Sequence, residues 1–214
     1  LGARSHKIYY MIKGVVFDFG GVLYGTPLGQ VARLERRAGL PPGKLSRVLD
    51  ESGSKGAWGR FERGEIDLKG FVQEMGAELD RHDISVEVSA LIELSGGSFN
   101  TPLLQYIKDE LRGKYKTAVI TNNFQIPAHK EPLWTISGLF DLVVESSIVG
   151  CRKPDPKIYD YTFTSLEIDP EEIVYIDDIG ANLRYPRSLG ILTIKAEGDL
   201  DLVAQVRRVL TDLN

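Results

Sequence analysis

Apolar residues gather along this chain in short dense runs, separated by longer stretches with helical spacing. The runs "IKGVVFDFG" (12–20), "YKTAVITNN" (115–123), "EIVYIDDIG" (172–180) and "GILTIKAEG" (190–198) are rich in Val, Ile, Phe or Tyr, and "LFDLVVESS" (139–147) is a fifth candidate. None alternates cleanly between polar and apolar positions. Such runs suit strands covered on both faces, as in a parallel sheet. Between them, "NTPLLQYIKDELRGKY" offers Asn100 or Thr101 as N-cap, Pro102 in the first turn, a stripe of Leu103, Leu104, Ile107 and Leu111, and Gly113 as a stop. "PDPKIYDYTFTSLEI" places Ile158, Tyr161 or Thr162, and Leu166 on one helical face. "GDLDLVAQVRRVLTDL" predicts a last helix from Asp199 that buries Leu202, Val203, Val206, Val209 and Leu210.

Strands alternating with helices predict a doubly wound α/β sheet. Residues 26 to about 99 break the alternation. There "GQVARLERRAGL", "PPGKLSRVLDESG", "DLKGFVQEMGAELD" and "SVEVSALIELS" read as helices only. This predicts a helical module inserted after the first strand, with residues 12–25 and 100–214 forming one discontinuous core. Residues 1–11 are set aside as an expression remnant or linker.

Composition narrows the partners. A chain of 214 residues, 43% of them hydrophobic, has enough apolar surface for a buried core. The net charge of −4 comes from mixed charges without long single-sign runs, so neither nucleic acid nor an anionic membrane surface is an expected partner. No apolar run approaches the length of a membrane span. The single cysteine, Cys151, excludes an internal disulfide and favours an intracellular compartment, the cytoplasm first, with an organelle left open. It reads as a small loop residue rather than a nucleophile. His6, His82 and His129 are scattered without metal-ligand spacing, and Trp58, Phe61 and Phe71 read as packing residues of the inserted helices.

In open α/β sheets, sites form beyond the carboxyl ends of the strands. The polar residues there are Asp18, Thr121 with Asn122 and Asn123, and Asp177 with Asp178, while Lys153 precedes a helix in "CRKPDPKIY". Taken singly, each has an ordinary reading as a cap, turn or solvated loop residue. Together they suit phosphate chemistry. A carboxylate can attack phosphorus, and hard oxygen ligands from Asp18, a backbone carbonyl and Asp178 can hold Mg²⁺. Thr121 and Lys153 can hold phosphoryl oxygens and neutralise their charge, and Gly20–Gly21 permits a sharp turn.

This ordered set resembles the haloacid dehalogenase superfamily: "FDFGGV" its first motif, "VITNN" its second, Lys153 in "RKPDP" its third and "YIDDIGANL" its fourth. The resemblance runs from about residue 12 to 213, and the inserted helices sit where one large subgroup carries a helical cap. "GAWGRFERGEI" (56–66) and "IDDIGANLRYPRSLGILTI" (176–194) resemble the N-terminal phosphatase domain of soluble epoxide hydrolase and the related domain of multidomain acyl-CoA dehydrogenases. The resemblance implies a Rossmann-like core with Asp18 as nucleophile, Asp18, the Gly20 carbonyl and Asp178 as Mg²⁺ ligands, Thr121 and Asn122 on the phosphate, and Lys153 steadying Asp18 and the transferring group. Asp177 then supports the metal shell or Lys153, and Asn182 braces the acidic loop. The partner is a phosphorylated small molecule; further domains of a parent chain and a homodimer are left open.

One departure matters. Phosphatases of the superfamily carry a second Asp where this chain has Gly20; that Asp protonates the leaving oxygen and later takes a proton from water. Its loss costs about 10²–10⁴ in rate. Three readings follow: a slow or specialised phosphatase, a phospholigand-binding or regulatory domain with little turnover, and a carbon–halogen or carbon–phosphorus hydrolase. The Asp177–Asp178 pair disfavours the dehalogenase, and the phosphonate chemistry needs a cap lysine, for which Lys44, Lys55 and Lys69 are available. Glu62, Arg63 and Glu65 are candidates for a substitute acid, against the plainer expectation of a solvated helix-turn face.

Overall fold

The computed structural model describes residues 11–25, 28–93, 97–125, 132–198 and 201–213. Residues 1–10, His6 among them, His129 and the expected helix start at Asp199 lie outside these ranges. All five apolar runs form strands: β1 (Gly14–Asp18), β2 (Lys116–Thr121), β3 (Leu142–Glu145), β4 (Ile173–Asp177) and β5 (Leu192–Lys195). They pair in parallel in the order β3-β2-β1-β4-β5. Every residue of β1 and β4 is buried, which is why neither alternates.

The helices are α1 (Leu28–Arg37), α2 (Lys44–Ser52), α3 (Ala57–Glu62), α4 (Leu68–Arg81) and α5 (Val88–Ile92), then α6 (Thr101–Tyr106), α7 (Pro132–Ile136), α8 (Ser146–Val149), α9 (Pro156–Leu166), α10 (Arg184–Ser188) and α11 (Leu202–Leu213). Asn100 caps α6, its side chain accepting from the Leu103 N–H at 3.3 Å, and a π-helical turn at Ile107–Leu111 follows. On one face of the sheet, Val15, Phe17, Val119, Val174 and Ile176 pack against Leu103 and Tyr106 of α6 and Val206 and Leu210 of α11. On the other, Val16, Ile120, Val144 and Tyr175 pack against Ile158, Tyr159, Phe163 and Leu166 of α9. Thr162, not Tyr161, completes the inner face of α9; Tyr161 is exposed. Val203 and Val209 are only partly buried, at the margin of their cluster.

Helices α1 to α5 build a separate apolar cluster around Leu45, Phe61, Phe71, Met75, Leu79 and Leu91. The α3 segment is a helix beyond the four that the periodicity marks; at six residues it is too short to show a period. Phe61 stacks on Phe71 at 4.4 Å and on Phe124, which follows β2, at 4.7 Å, so the sheet side plugs an aromatic ring into the helical layer. The chain leaves and returns side by side: Gly25 N–H donates to Ser98 O at 3.0 Å, and Asn100 N–H to Leu23 O at 2.9 Å.

The N-terminus of α2 has no capping side chain of its own. Buried Glu35 of α1 does this work, accepting from the N–H groups of Gly43 (2.9 Å), Leu45 (2.9 Å) and Ser46 (3.1 Å). Burial opposes the Glu35 charge, but these donors outweigh it and hold the carboxyl below the usual glutamate range. A depressed carboxyl stabilises the fold above its unfolded-state pKa, and the stabilisation is lost as pH falls through the folded-state value. Glu35→Gln is therefore expected to cost about 1–2 kcal/mol at neutral pH. In urea titrations that difference shrinks as the solution is acidified into the range where Glu35 takes up its proton.

Candidate active site

Strand register puts the site together. Asp18 pairs with Ile120 across β1–β2, one residue short of Thr121, and Phe17 pairs with Ile176 across β1–β4, so Asp18 and Asp177 end adjacent strands at one level. Lys153 lies between them. Its Nζ is 2.7 Å from Asp18 Oδ1 and 2.8 Å from Asp177 Oδ2, with the side chain 1% exposed. Burial works against the ammonium, but Asp18 and Asp177 outweigh it and hold the Lys153 pKa above the ordinary lysine value.

Asp177 has no spare capacity. Its Oδ1 accepts from the Ile179 N–H at 2.8 Å and the Asn182 amide at 3.0 Å, while its Oδ2 accepts from Lys153 and the Tyr175 hydroxyl. Between the two supports assigned to it from sequence, the hydrogen bonds run to Lys153. Asn182 does brace this loop, and its own carbonyl accepts from Tyr159 Oη at 2.8 Å. Asn122 is committed in the same way: its side-chain oxygen accepts from Lys153 N–H at 2.8 Å and its amide donates to Lys153 O at 3.0 Å. That two-point clamp fixes where Lys153 starts, so the Asn122 side chain is committed to the lysine, while Thr121 is buried at the end of β2.

The opposite holds at Asp178. Its Oδ1 is buried without a hydrogen-bond partner. Ligand oxygens of Asp18, Asp177 and Asp178 all lie within 4.8 Å of one another. Burial, Asp177 and Asp178 push the Asp18 carboxyl up to about 8 against the pull of Lys153, and burial with Asp177 raises Asp178 to about 6. Three crowded carboxylates facing one ammonium, with one oxygen unsatisfied, fit a hard divalent cation. Gly21 is part of that fit. It takes the left-handed backbone (φ 77°) and passes so close to Asp178 that an added Cβ would stand 2.1 Å from Oδ2. Gly20, beside it, has no such φ and belongs to the turn closed by the Gly21 N–H donating to Tyr24 O at 2.8 Å.

A cavity of about 340 Å³ lies over these groups, lined by Asp18, Gly20, Thr121, Lys153 and Asp178 from the sheet side and by Val31, Trp58, Glu62 and Leu91 from the helical layer. Sequence reasoning missed Arg152 here, although it stands next to Lys153 in "CRKPDP", and it missed the buried hydroxyl of Tyr175 two residues before Asp177. Glu62 overturns the expectation of a solvated face: it is 7% exposed, its Oε1 accepts from Trp58 Nε1 at 2.9 Å, and its Oε2 is 2.6 Å from Arg152 Nε. Trp58 and Glu62 are spaced i, i+4, which was the available signal. Arg63 and Glu65 do form a surface pair, at 2.6 Å. Lys55 and Lys69 are exposed, and Lys44 donates to Asp83 O at 3.1 Å away from the cavity. Among the described residues no lysine but Lys153 lines the cavity, so none offers the phosphonate chemistry its amine. Cys151 is a partly buried loop residue whose thiol is raised by burial, which keeps it protonated.

The sequence pattern of the haloacid dehalogenase-like hydrolases matches residues 12–190. The chain belongs to that family. Acyl-CoA dehydrogenase family member 10 of Mus musculus is 33% identical over 98% of this chain, and bifunctional epoxide hydrolase 2 of Sus scrofa is 30% identical over 86%. This chain spans only 20% and 36% of their respective lengths. D-ribitol-5-phosphate phosphatase of Bacteroides thetaiotaomicron is 27% identical over 89% of this chain and 95% of its own. A haloacid dehalogenase-family enzyme of Bacteroides thetaiotaomicron, solved with magnesium and inorganic phosphate, shares the fold with a TM-score of 0.66 at 20% identity, over 91% of this chain and 98% of its own. Among the described residues no helix is long and apolar enough to cross a membrane.

Gly21→Ala should drive Asp178 from its place. The expected outcome is a Mg²⁺ or Mn²⁺ affinity reduced by about 10–100-fold in calorimetric titration, the scale of displaced supporting groups at metal sites.

Proposed function

We propose that this domain is a Mg²⁺-dependent phosphatase of a phosphorylated small molecule, working through an aspartyl-phosphate at Asp18. The observation that carries this reading is the Asp18–Lys153–Asp177 arrangement beside Asp178, at the carboxyl ends of parallel strands and on the wall of one cavity. The phosphatase name of one relative over nearly its whole length supports the same class. Asp18, Asp178 and the Gly20 carbonyl would hold the cation, which would supply charge neutralisation for the phosphoryl oxygens. An Asp18 oxygen attacks phosphorus and the bond to the leaving oxygen breaks. Lys153, fixed by Asn122 and Asp177, keeps Asp18 aimed and balances the phosphoryl charge, while Thr121 binds a phosphoryl oxygen. Water then releases phosphate and restores the carboxylate.

Residues 26–99 act as the cap in this reading. Val31, Leu49, Trp58, Glu62 and Leu91 of that layer line the cavity over the strand ends. The leaving group is read by these side chains, and their mix of aromatic, aliphatic and charged groups suits a small organic phosphate.

Gly20 supports a second reading, a phospholigand-binding domain with little turnover, because the position of the family's proton donor holds no acid. Hydrolysis of a panel of phosphate esters and acyl phosphates with Mg²⁺ separates the two. The phosphatase reading expects phosphate release that falls on the order of 10³-fold or more in Asp18→Asn and stops on chelation. Wild-type release no faster than that of Asp18→Asn on every substrate, together with tight Mg²⁺-dependent binding of a phosphate mimic, would replace it with the second reading.

A further inference from the structure

The chemistry proposed above needs a proton donor that Gly20 does not supply, and the cavity contains a carboxyl well placed to do so. Glu62 closes α3 with its side chain turned into the space that Asp18, Gly20, Thr121 and Lys153 also line. Its seat is rigid. The Glu62 carbonyl accepts from Ser146 Oγ at 2.6 Å, and Gly64 (φ 65°) runs so close to Ser147 that an added Cβ would stand 2.5 Å from Ser147 O. Trp58 Nε1 holds Oε1 at 2.9 Å. Oε2 stands 2.6 Å from Arg152 Nε, but the N–H is not aimed at it: the contact is ionic, and neither atom has a hydrogen-bond partner. The hydrogen-bonding capacity of that buried oxygen is therefore unspent, held only by the charge of Arg152. Asp50 also lines the cavity but is exposed to solvent.

We propose that Glu62 is the proton-transfer group of this site, supplied by the helical layer in place of the acid absent at Gly20. This rests on the phosphatase reading. In the first half-reaction an Asp18 oxygen forms a bond to phosphorus, the phosphorus–oxygen bond of the ester breaks, and the departing oxygen takes the Glu62 proton to leave as an alcohol. In the second, the Glu62 carboxylate takes a proton from water, whose oxygen bonds to phosphorus as the Asp18 carboxylate leaves; phosphate is released and Glu62 is protonated again. Burial favours the protonated form that the first step needs and raises the carboxyl above its ordinary value, against the pull of Arg152, the Trp58 N–H and Lys153. Arg152 is the positioning partner: it steadies the charged form that the second step needs.

Leaving-group dependence tests the role. Acetyl phosphate expels acetate, which needs no proton, whereas an alkyl phosphate expels an alkoxide that does. Glu62→Gln keeps an acceptor for Trp58 and is expected to lower kcat for the best alkyl phosphate on the order of 10²-fold, while acetyl phosphate changes by no more than ~2-fold. Adding Gly20→Asp to Glu62→Gln restores alkyl phosphate turnover, which a purely structural role for Glu62 would not allow. Glu62→Asp, which keeps the carboxyl, retains part of the rate, and thermal melts establish that each variant is folded. Equal losses on both substrates in folded Glu62→Gln, no loss on either, or a wild type that turns over acetyl phosphate but no alkyl phosphate sinks the proposal while leaving the phosphatase reading intact. Failure of the wild type to exceed Asp18→Asn on acetyl phosphate and on every ester sinks both.

Discussion

The Lys153 ammonium, buried between Asp18 and Asp177, is the interaction around which the site is organised. A charge so placed is tolerable only when it is paired and its partners are themselves satisfied. This explains the surrounding polar residues. Asp177 ends β4 and is fully committed to Lys153, Tyr175, Asn182 and the Ile179 N–H, so it balances the ammonium without competing for a ligand. Asn122 pins both backbone polar groups of Lys153. Asp18, by contrast, makes two contacts through Oδ1, to Lys153 and to the Phe19 N–H. The asymmetry between two carboxylates on one lysine separates an acid saturated by hydrogen bonds from one with capacity to spare, which is why the proposed chemistry is assigned to Asp18.

The same economy divides the acidic pair. Asp177 and Asp178 are neighbours in sequence, yet one is saturated and the other keeps a buried oxygen without a hydrogen-bond partner. Strand geometry is the cause. Asp177 is the last residue of β4 and faces the sheet, whereas Asp178 lies past the strand end against Gly21, whose missing side chain leaves the carboxylate its room. The turn after β1 and the loop after β4 therefore have to be understood as one unit, with a glycine in one making space for an acid in the other.

The helical layer adds side chains to a cavity built on the sheet. Phe124 carries the β2 loop into the aromatic cluster of Phe61 and Trp58, and Ser146 ties the end of α3 to the loop after β3. These contacts place Glu62 and Arg152 on the wall of the cavity that Asp18 also lines. Two elements distant in sequence thus present a cation and an acid to the same small volume.

The strands were legible in sequence because burial on both faces leaves continuous apolar runs, and the residues ending them were legible because a carboxylate or hydroxyl at that point interrupts the run. Asp18, Thr121, Asp177 and Asp178 could be placed at one edge of a sheet from sequence order alone, and the motif spacing around Lys153 pointed to one family. Which acid is spent and which is free was not legible: it depends on the hydrogen bonds that Lys153, Tyr175 and Asn182 give to Asp177, and on the ion pair that brings Lys153 to Asp18 from far along the chain. Nor was the burial of Glu62, since "GRFERGEI" is charged enough to pass for a solvated turn, and α3 is too short to show a helical period. Local pattern determined the sheet, its order of chemistry and the absence of an acid at Gly20. Only tertiary packing decided that the clamp of Asn122 goes to Lys153, that Gly21 makes room for Asp178, and that an acid from the inserted helices faces the site, because a side chain's burial and partners are set by what folds against it.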